Sequence, residues 1–270
     1  MVPCGKCPAC RANYRSELVF RIQQEYLANA FSVFVTLTYD NDHLPKDLCV
    51  NKDDVQKFHK RLRKHFAPQE LRFFLISEYG DRGHRPHYHG LYFFKSIQDY
   101  NALYDIFVKS WNLGFIKFGE VEIGSILYCT KYCLKGNDVP EGRKPNFRLM
   151  SKMHGGLGSL YLENMSSFHI ESEQFSYVSS FGRTCRMPRY YRDKLKLVSD
   201  IFHPERKEEG IEAKNERLKQ DFIKRYKSWL SRNGLQSSLE NMKKFNEFLF
   251  RSRDENDILT LKNVKPQNVF

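Results

Sequence analysis

The stretch His84-Arg85-Pro86-His87-Tyr88-His89-Gly90-Leu91-Tyr92-Phe93-Phe94, "HRPHYHGLYFF", decides how this chain is read. From Pro86 to Phe94 it is an aromatic-rich run of the kind that builds a strand. Side chains alternate between the two faces of a strand, so His87 and His89 point to one side and Tyr88 to the other. Two imidazoles on one face are either two metal ligands or a pair of surface histidines, and the run alone leaves both readings open. His84, ahead of the proline, reads as a loop residue.

Leu71 to Tyr79, "LRFFLISEY", is a second strand joined to the first through "GDRGHR", and this spacing predicts a hairpin. Pairing brings Glu78 opposite or diagonal to His87 or His89, where cross-strand Cβ atoms lie roughly 4.5 to 8 Å apart. Two neutral nitrogens and one carboxylate leave open coordination positions and a net positive site. That suits a catalytic ion gripping a phosphate oxygen.

The remaining elements follow from periodicity. Tyr14 to Ala30 has helical spacing and leads into a β-branched strand, Ser32 to Thr38. Asp53 to Phe66 reads as a helix with an acidic first turn and a basic face of Lys57, Lys60, Arg61, Arg63 and Lys64. Ser96 to Trp111 is a helix and Gly114 to Glu122 a strand; Gly124 to Lys135 reads as a helix, although its Tyr, Cys and Thr content also suits a strand. Gly136 to Gly158 is a loop by composition, and Tyr161 to Lys196 holds short strand-like pieces. The last 70 or so residues have the apolar spacing of helices. The expected fold class is α+β, a central antiparallel sheet with flanking helices and a C-terminal helical region. The expected divisions are an N-terminal cysteine-rich segment and helix (1–30), a catalytic core (31–160), an extension (161–200) and a basic helical tail (201–270).

The 270 residues carry 44 Lys plus Arg against 32 Asp plus Glu, a net charge of +12 that suits a polyanionic partner or simply a soluble surface. With 22 Phe and 15 Tyr, stacking platforms for unpaired bases are available, although most of these rings must be core. No run approaches the length of a membrane span and no apolar signal region opens the chain, so a soluble, intracellular protein is expected. No phosphate-loop motif occurs, so no ATPase or helicase module is expected. Cysteines number seven, an odd count, and Cys4, Cys7 and Cys10 form a C-x₂-C-x₂-C run. A ferredoxin-type run would place a cysteine where Tyr14 stands. A Zn²⁺ site completed by Cys49 or Cys185, or plain thiols, are the readings left.

In Tyr128 to Lys135, "YCTKYCLK", helical geometry puts Tyr128, Tyr132, Lys131 and Lys135 on one arc and Ile126, Cys129 and Cys133 on another. The first arc is polar and reactive; the second suits packing. Two tyrosines four residues apart can address one locus, and neighbouring ammonium groups favour phenolate and hold phosphate.

"FVTLTYDNDHLP" (Phe34 to Pro45), "SEYGDRGHRPHYHGLYFF" (Ser77 to Phe94) and "YCTKYCLK" together resemble the three ordered motifs of HUH endonucleases, the rolling-circle initiators. With "CGKCPACR" at the start and "MPRYY" (Met187 to Tyr191), the chain is similar to the replication initiation proteins of gokushovirus-type microviruses over about residues 3 to 196. The resemblance implies that His87, His89 and Glu78 hold a divalent cation, Mg²⁺ or Mn²⁺. It implies that Tyr128 and Tyr132 are nucleophiles accompanied by Lys131 and Lys135. The implied activity is a nickase and ligase on single-stranded or supercoiled phage origin DNA, forming a 5′-phosphotyrosine and resealing the displaced circle. Host helicase, DNA polymerase and single-strand-binding protein are the implied partners, no membrane is involved, and the place of action is the cytoplasm of a bacterial host. Lys60, Arg61, Arg63, Lys64, Arg143, Lys144, Arg148 and Lys152 are candidate DNA-backbone contacts, with the stretch from Lys224 to Trp229 beside them. A tyrosine transposase or relaxase of the same chemistry, and a non-catalytic origin-binding regulator, are the alternatives.

Overall fold

A computed structural model describes residues 4–80, 83–131, 139–153, 155–172, 174–178, 184–202, 211–242 and 244–245. Its centre is an antiparallel sheet of five strands, β1 (Phe31–Tyr39), β2 (Leu71–Tyr79), β3 (Pro86–Phe94), β4 (Gly114–Gly119) and β5 (Arg148–Met150), in the order β4-β1-β3-β2-β5. The Pro86 to Phe94 run is therefore the middle strand, with neighbours on both edges and helices on both faces. This double cover explains why β2 is buried at every position and reads as a continuous apolar run rather than an alternating one.

One face carries Leu75, Tyr88 and Tyr92 and is covered by α2 (Lys52–Arg63) and α3 (Tyr100–Trp111) through Val55, Phe58, Leu62, Phe107 and Trp111. Helix α2 begins where Asn51 accepts hydrogen bonds from Asp53 N–H and Asp54 N–H, and the two aspartates complement the helix dipole. Asp99 caps α3 by accepting from Ala102 N–H at 2.7 Å, and Asn112 ends it in the left-handed region at φ 33°.

The opposite face carries Phe74, Ile76, Leu91 and Phe93, packed against Leu18 and Ile22 of α1 (Pro8–Leu27) and Ile126 and Cys129 of α4 (Ile123–Thr130). A capping box of Glu122 and Ser125 starts α4. Buried Glu25 ties α1 to the sheet, meeting Arg72 Nε at 3.1 Å and accepting from Gly158 N–H at 2.6 Å.

The chain divides into two compact units, Met1–Asn164 and Met165–Phe270, and the sheet lies in the first. Helix α5 (Leu160–Ser172) runs across that boundary. In the second unit β6 (Ser176–Val178) pairs with β7 (Thr184–Arg186), followed by α6 (Arg189–Phe202) and α7 (Ile211–Asn233), where Tyr226, Leu230 and Phe245 form a small apolar cluster. Among the described residues, no helix is long and apolar enough to cross a membrane.

Several expectations need correction. The loop expected from Gly136 to Gly158 contains β5, and the strand-like region from Tyr161 opens with a helix, α5, and closes in another, α6; only β6 and β7 match the expectation. Helix α1 starts six residues ahead of Tyr14 because Pro8 suits its first turn. The strand expected to run to Glu122 stops at Gly119, where the turn into α4 begins.

Two buried polar groups make the core testable. Tyr88 Oη accepts from Asn51 N–H at 2.8 Å and lies 2.9 Å from Tyr39 Oη, which joins β1, β3 and the start of α2. Tyr88→Phe is expected to lower stability by about 1–3 kcal/mol in urea denaturation, because Asn51 N–H loses its buried acceptor. His59 stacks on Phe73 and sits 3.0 Å from Tyr92 Oη; burial, and after it the charge of Arg63, push its pKa down to about 3. The unfolded chain takes up that proton near pH 6.5 and the folded one does not. Stability is therefore full above about pH 6.5 and falls as pH drops toward 3, with a slope approaching about 1.4 kcal/mol per pH unit. Urea midpoints between pH 7 and 5 should show this decline, and His59→Gln should flatten it.

Candidate metal centre and tyrosine site

The register of β2 on β3 places Glu78 directly opposite His87, with His89 one diagonal step away on the same face. The carboxylate reaches both rings: Glu78 Oε2 is 3.1 Å from His89 Nε2 and 3.8 Å from His87 Nε2. Each imidazole is held from behind. His87 Nδ1 lies 3.1 Å from the carbonyl of Arg85, which leaves a bare Nε2 facing Glu78. His89 Nδ1 lies 3.1 Å from Thr36 Oγ1, its cross-strand neighbour on β1, and its ring stacks on Phe34.

Helix α4 brings a phenol to the same spot. Tyr128 Oη donates to Glu78 Oε2 at 2.7 Å and lies 3.4 Å from His89 Nε2. Lys131 Nζ sits 3.9 Å from the centre of the Tyr128 ring and 3.9 Å from Glu78 Oε1. The arc expected to pack does so, with Ile126 and Cys129 buried, while Tyr128 and Lys131 stay half-buried. Arg15 donates to the carbonyl of Leu127 at 3.1 Å and so fixes α4 from α1. Tyr132, Cys133 and Lys135 lie outside the described residues.

Burial works to raise the Glu78 carboxyl. Hydrogen bonds from His89 and Tyr128, together with positive charge at His89 and Lys131, outweigh it and hold the group below the usual carboxylate range. An ionised carboxylate and two inward-facing imidazole nitrogens, with donor atoms all within 4.8 Å of one another, fit a divalent cation.

Comparison with known proteins gives the arrangement a context. A family model described as a replication-associated protein of the ORF2 type matches residues 32–137, which contain the whole trio and Tyr128. "Replication-associated protein VP4" of Bdellovibrio phage phiMH2K is 30% identical over 226 residues, 76% of this chain and 69% of that one. This chain belongs to that family of replication-associated proteins. "Replication-associated protein ORF4" of Chlamydia phage 1 is 28% identical over 74% of this chain and 55% of its own length. "Replication-associated protein ORF2" of Spiroplasma virus 4 is 28% identical over 72% and 67%. No solved structure matches the chain.

In this family member the basic residues expected to meet DNA separate into two groups. Lys60, Arg63, Lys64 and Lys152 are exposed, as is Lys224 on α7. Arg61 Nε instead donates to Ser110 O at 2.7 Å and ties α2 to α3. Lys144 pairs with Asp47 at 2.9 Å, and Arg143 donates to the Asp47 carbonyl, which fastens their loop to the turn before α2. Arg148, on β5, lies over the Tyr14 ring at 4.9 Å.

The cysteine run gathers: Cys4, Cys7 and Cys10 have sulfurs within 4.8 Å of one another. Cys49 does not join them; it is buried, donating to Asp47 O and accepting from Lys144 N–H, so it is not their fourth ligand. Cys185 lies on β7 in the second unit.

Reading the sequence missed Thr36, Phe34 and Gly80 as parts of the site. A Cβ at Gly80 would approach His87 Cε1 to 3.2 Å, so glycine leaves that ring its place. The signal for Thr36 was its position on β1, but only the register identifies its partner. Removing the hydroxyl that orients a ligating histidine typically weakens metal binding, and Thr36→Val is expected to weaken Mn²⁺ binding about 10–100-fold by calorimetric titration.

Proposed function

We propose that the chain is a site-specific DNA nickase and strand-transferase that initiates rolling-circle replication of a phage genome in a bacterial host. The observation that carries this reading is the convergence of the Tyr128 hydroxyl with Glu78 and His89, 2.7 and 3.4 Å away. Glu78, His87 and His89 would hold Mg²⁺ or Mn²⁺. Such an ion supplies positive charge that offsets Glu78 beside the phenol and polarises a phosphate oxygen.

Tyr128 Oη attacks phosphorus in line; the Oη–P bond forms, the bond to the 3′ oxygen breaks, and a 3′-hydroxyl and a 5′-phosphotyrosine result. Ionising a phenol of ordinary pKa at pH 7 requires about 4 kcal/mol. Lys131, over the ring, lowers that requirement, and the phenol proton passes to solvent along the hydrogen bond toward Glu78. The phosphodiester energy is kept in the tyrosine ester, so a later attack by a 3′-hydroxyl reseals the displaced strand. Tyr132 is the second nucleophile in this scheme and Lys135 its companion. The exposed Lys60, Arg63, Lys64 and Lys152 are suited to the DNA backbone. Helicase, polymerase and single-strand-binding protein would come from the host.

Supercoiled DNA carrying the phage origin, incubated with the protein and Mg²⁺ or Mn²⁺, should yield nicked circles and a denaturation-resistant protein–DNA adduct, both abolished by a chelator. Tyr128→Phe and Tyr132→Phe together should eliminate the adduct. An adduct that survives in the double variant overturns the nucleophile assignment, and binding without any adduct favours the origin-binding regulator.

A further inference from the structure

The N-terminal thiols take no part in the tyrosine chemistry, yet they are arranged as a set. Cys4, Cys7 and Cys10 are exposed or half-exposed, so apolar burial does not account for them. Their sulfurs lie within 4.8 Å of one another, with Cys4 and Cys10 4.0 Å apart. Three thiolates around one Zn²⁺, at Zn–S distances near 2.3 Å, would stand roughly 3.8–4.0 Å apart.

The backbone is also aimed at the sulfurs. Cys7 N–H donates to Cys4 Sγ at 3.3 Å, Lys6 N–H is directed to the same sulfur, and Gly5 N–H is directed to that of Cys10. Gly5 makes this turn at φ +72°, in the left-handed region that glycine adopts freely. Cys7 is the N-cap of α1 and Cys10 lies in its first turn, where unpaired N–H groups favour negative charge. Backbone N–H donors fixed on several sulfurs stabilise thiolates, and thiolates held this close repel one another unless a cation lies between them.

The geometry points to a Zn²⁺ site in which Cys4, Cys7 and Cys10 supply three thiolate ligands, the fourth coming from outside the trio. Each thiol loses its proton to solvent as its S–Zn bond forms, and no electrons are transferred. Soft sulfur donors select Zn²⁺ over Mg²⁺ or Ca²⁺, which require oxygen, so this site differs in kind from the nitrogen and oxygen set around Glu78. The ion fastens residues 4–7 to the first turn of α1.

The test must separate the two centres. Full-length protein purified with Zn²⁺ under reducing conditions, in a His87→Ala/His89→Ala background, is expected to retain stoichiometric zinc. Replacement by Co²⁺ in that background should give the intense near-ultraviolet thiolate-to-metal absorption that imidazole and carboxylate ligands do not produce. Cys4→Ser, Cys7→Ser and Cys10→Ser, added singly, should each remove the absorption and most of the zinc. If a serine variant fails to fold, a mercurial thiol reagent added to the otherwise intact protein should release the zinc in step with thiol modification. Absence of zinc from the His87→Ala/His89→Ala protein, or a Co²⁺ spectrum without the thiolate band, overturns the assignment. Neither result depends on nicking activity, so failure here and failure of the replication reading are distinguishable.

Discussion

The register between β2 and β3 is the constraint on which the rest depends. With Glu78 opposite His87, one carboxylate and two imidazoles share a face, and a slip of one residue would send Glu78 into the aromatic core on the other side. That slip is opposed along the whole pair. Leu75 and Tyr92 on one face, and Phe74, Ile76 and Leu91 on the other, are all buried, so misregister would expose apolar surface on both sides at once. Burial on two faces is therefore what holds a charged group in place.

The two faces have different tasks. Helices α2 and α3 cover one with an aromatic layer in which Trp111, Phe58 and Phe107 surround Tyr88 and Tyr92, and the polar tips of those tyrosines meet Asn51 and His59. Helices α1 and α4 cover the other only in part, leaving the end of the sheet that carries Glu78, His87 and His89 for Tyr128. The position of Tyr128 is fixed indirectly, by Cys129 and Ile126 in the core, by the capping box before them and by Arg15 on the Leu127 carbonyl. A half-buried phenol, a lysine and a carboxylate held below its usual range then make a polar pocket floor against an apolar wall.

Sequence reading succeeded where burial is strong and local. The strands Leu71–Tyr79 and Pro86–Phe94 were legible to the residue, and the hairpin between them placed Glu78 beside the histidines. It failed where structure is borrowed from a neighbour. Strand β5 is three residues long in a Gly, Pro and Lys-rich segment, and it exists because β2 offers it an edge. Helix α5, "LYLENMSSFHIES", has weak amphipathic spacing and serines that favour no one element, so its aromatic and branched residues suggested strand.

Residue types and their periods determined on their own that two histidines share a strand face, that a tyrosine and a lysine share a helical arc, and that three cysteines lie close along the chain. Those are consequences of backbone geometry within single elements, which no tertiary contact can alter. Only the folded chain decided that Thr36 stands behind His89, that Tyr128 reaches Glu78, that Cys49 stays apart from the other thiols and that Arg61 ties two helices together. Such pairings join residues far apart in sequence, and they are set by how whole elements pack.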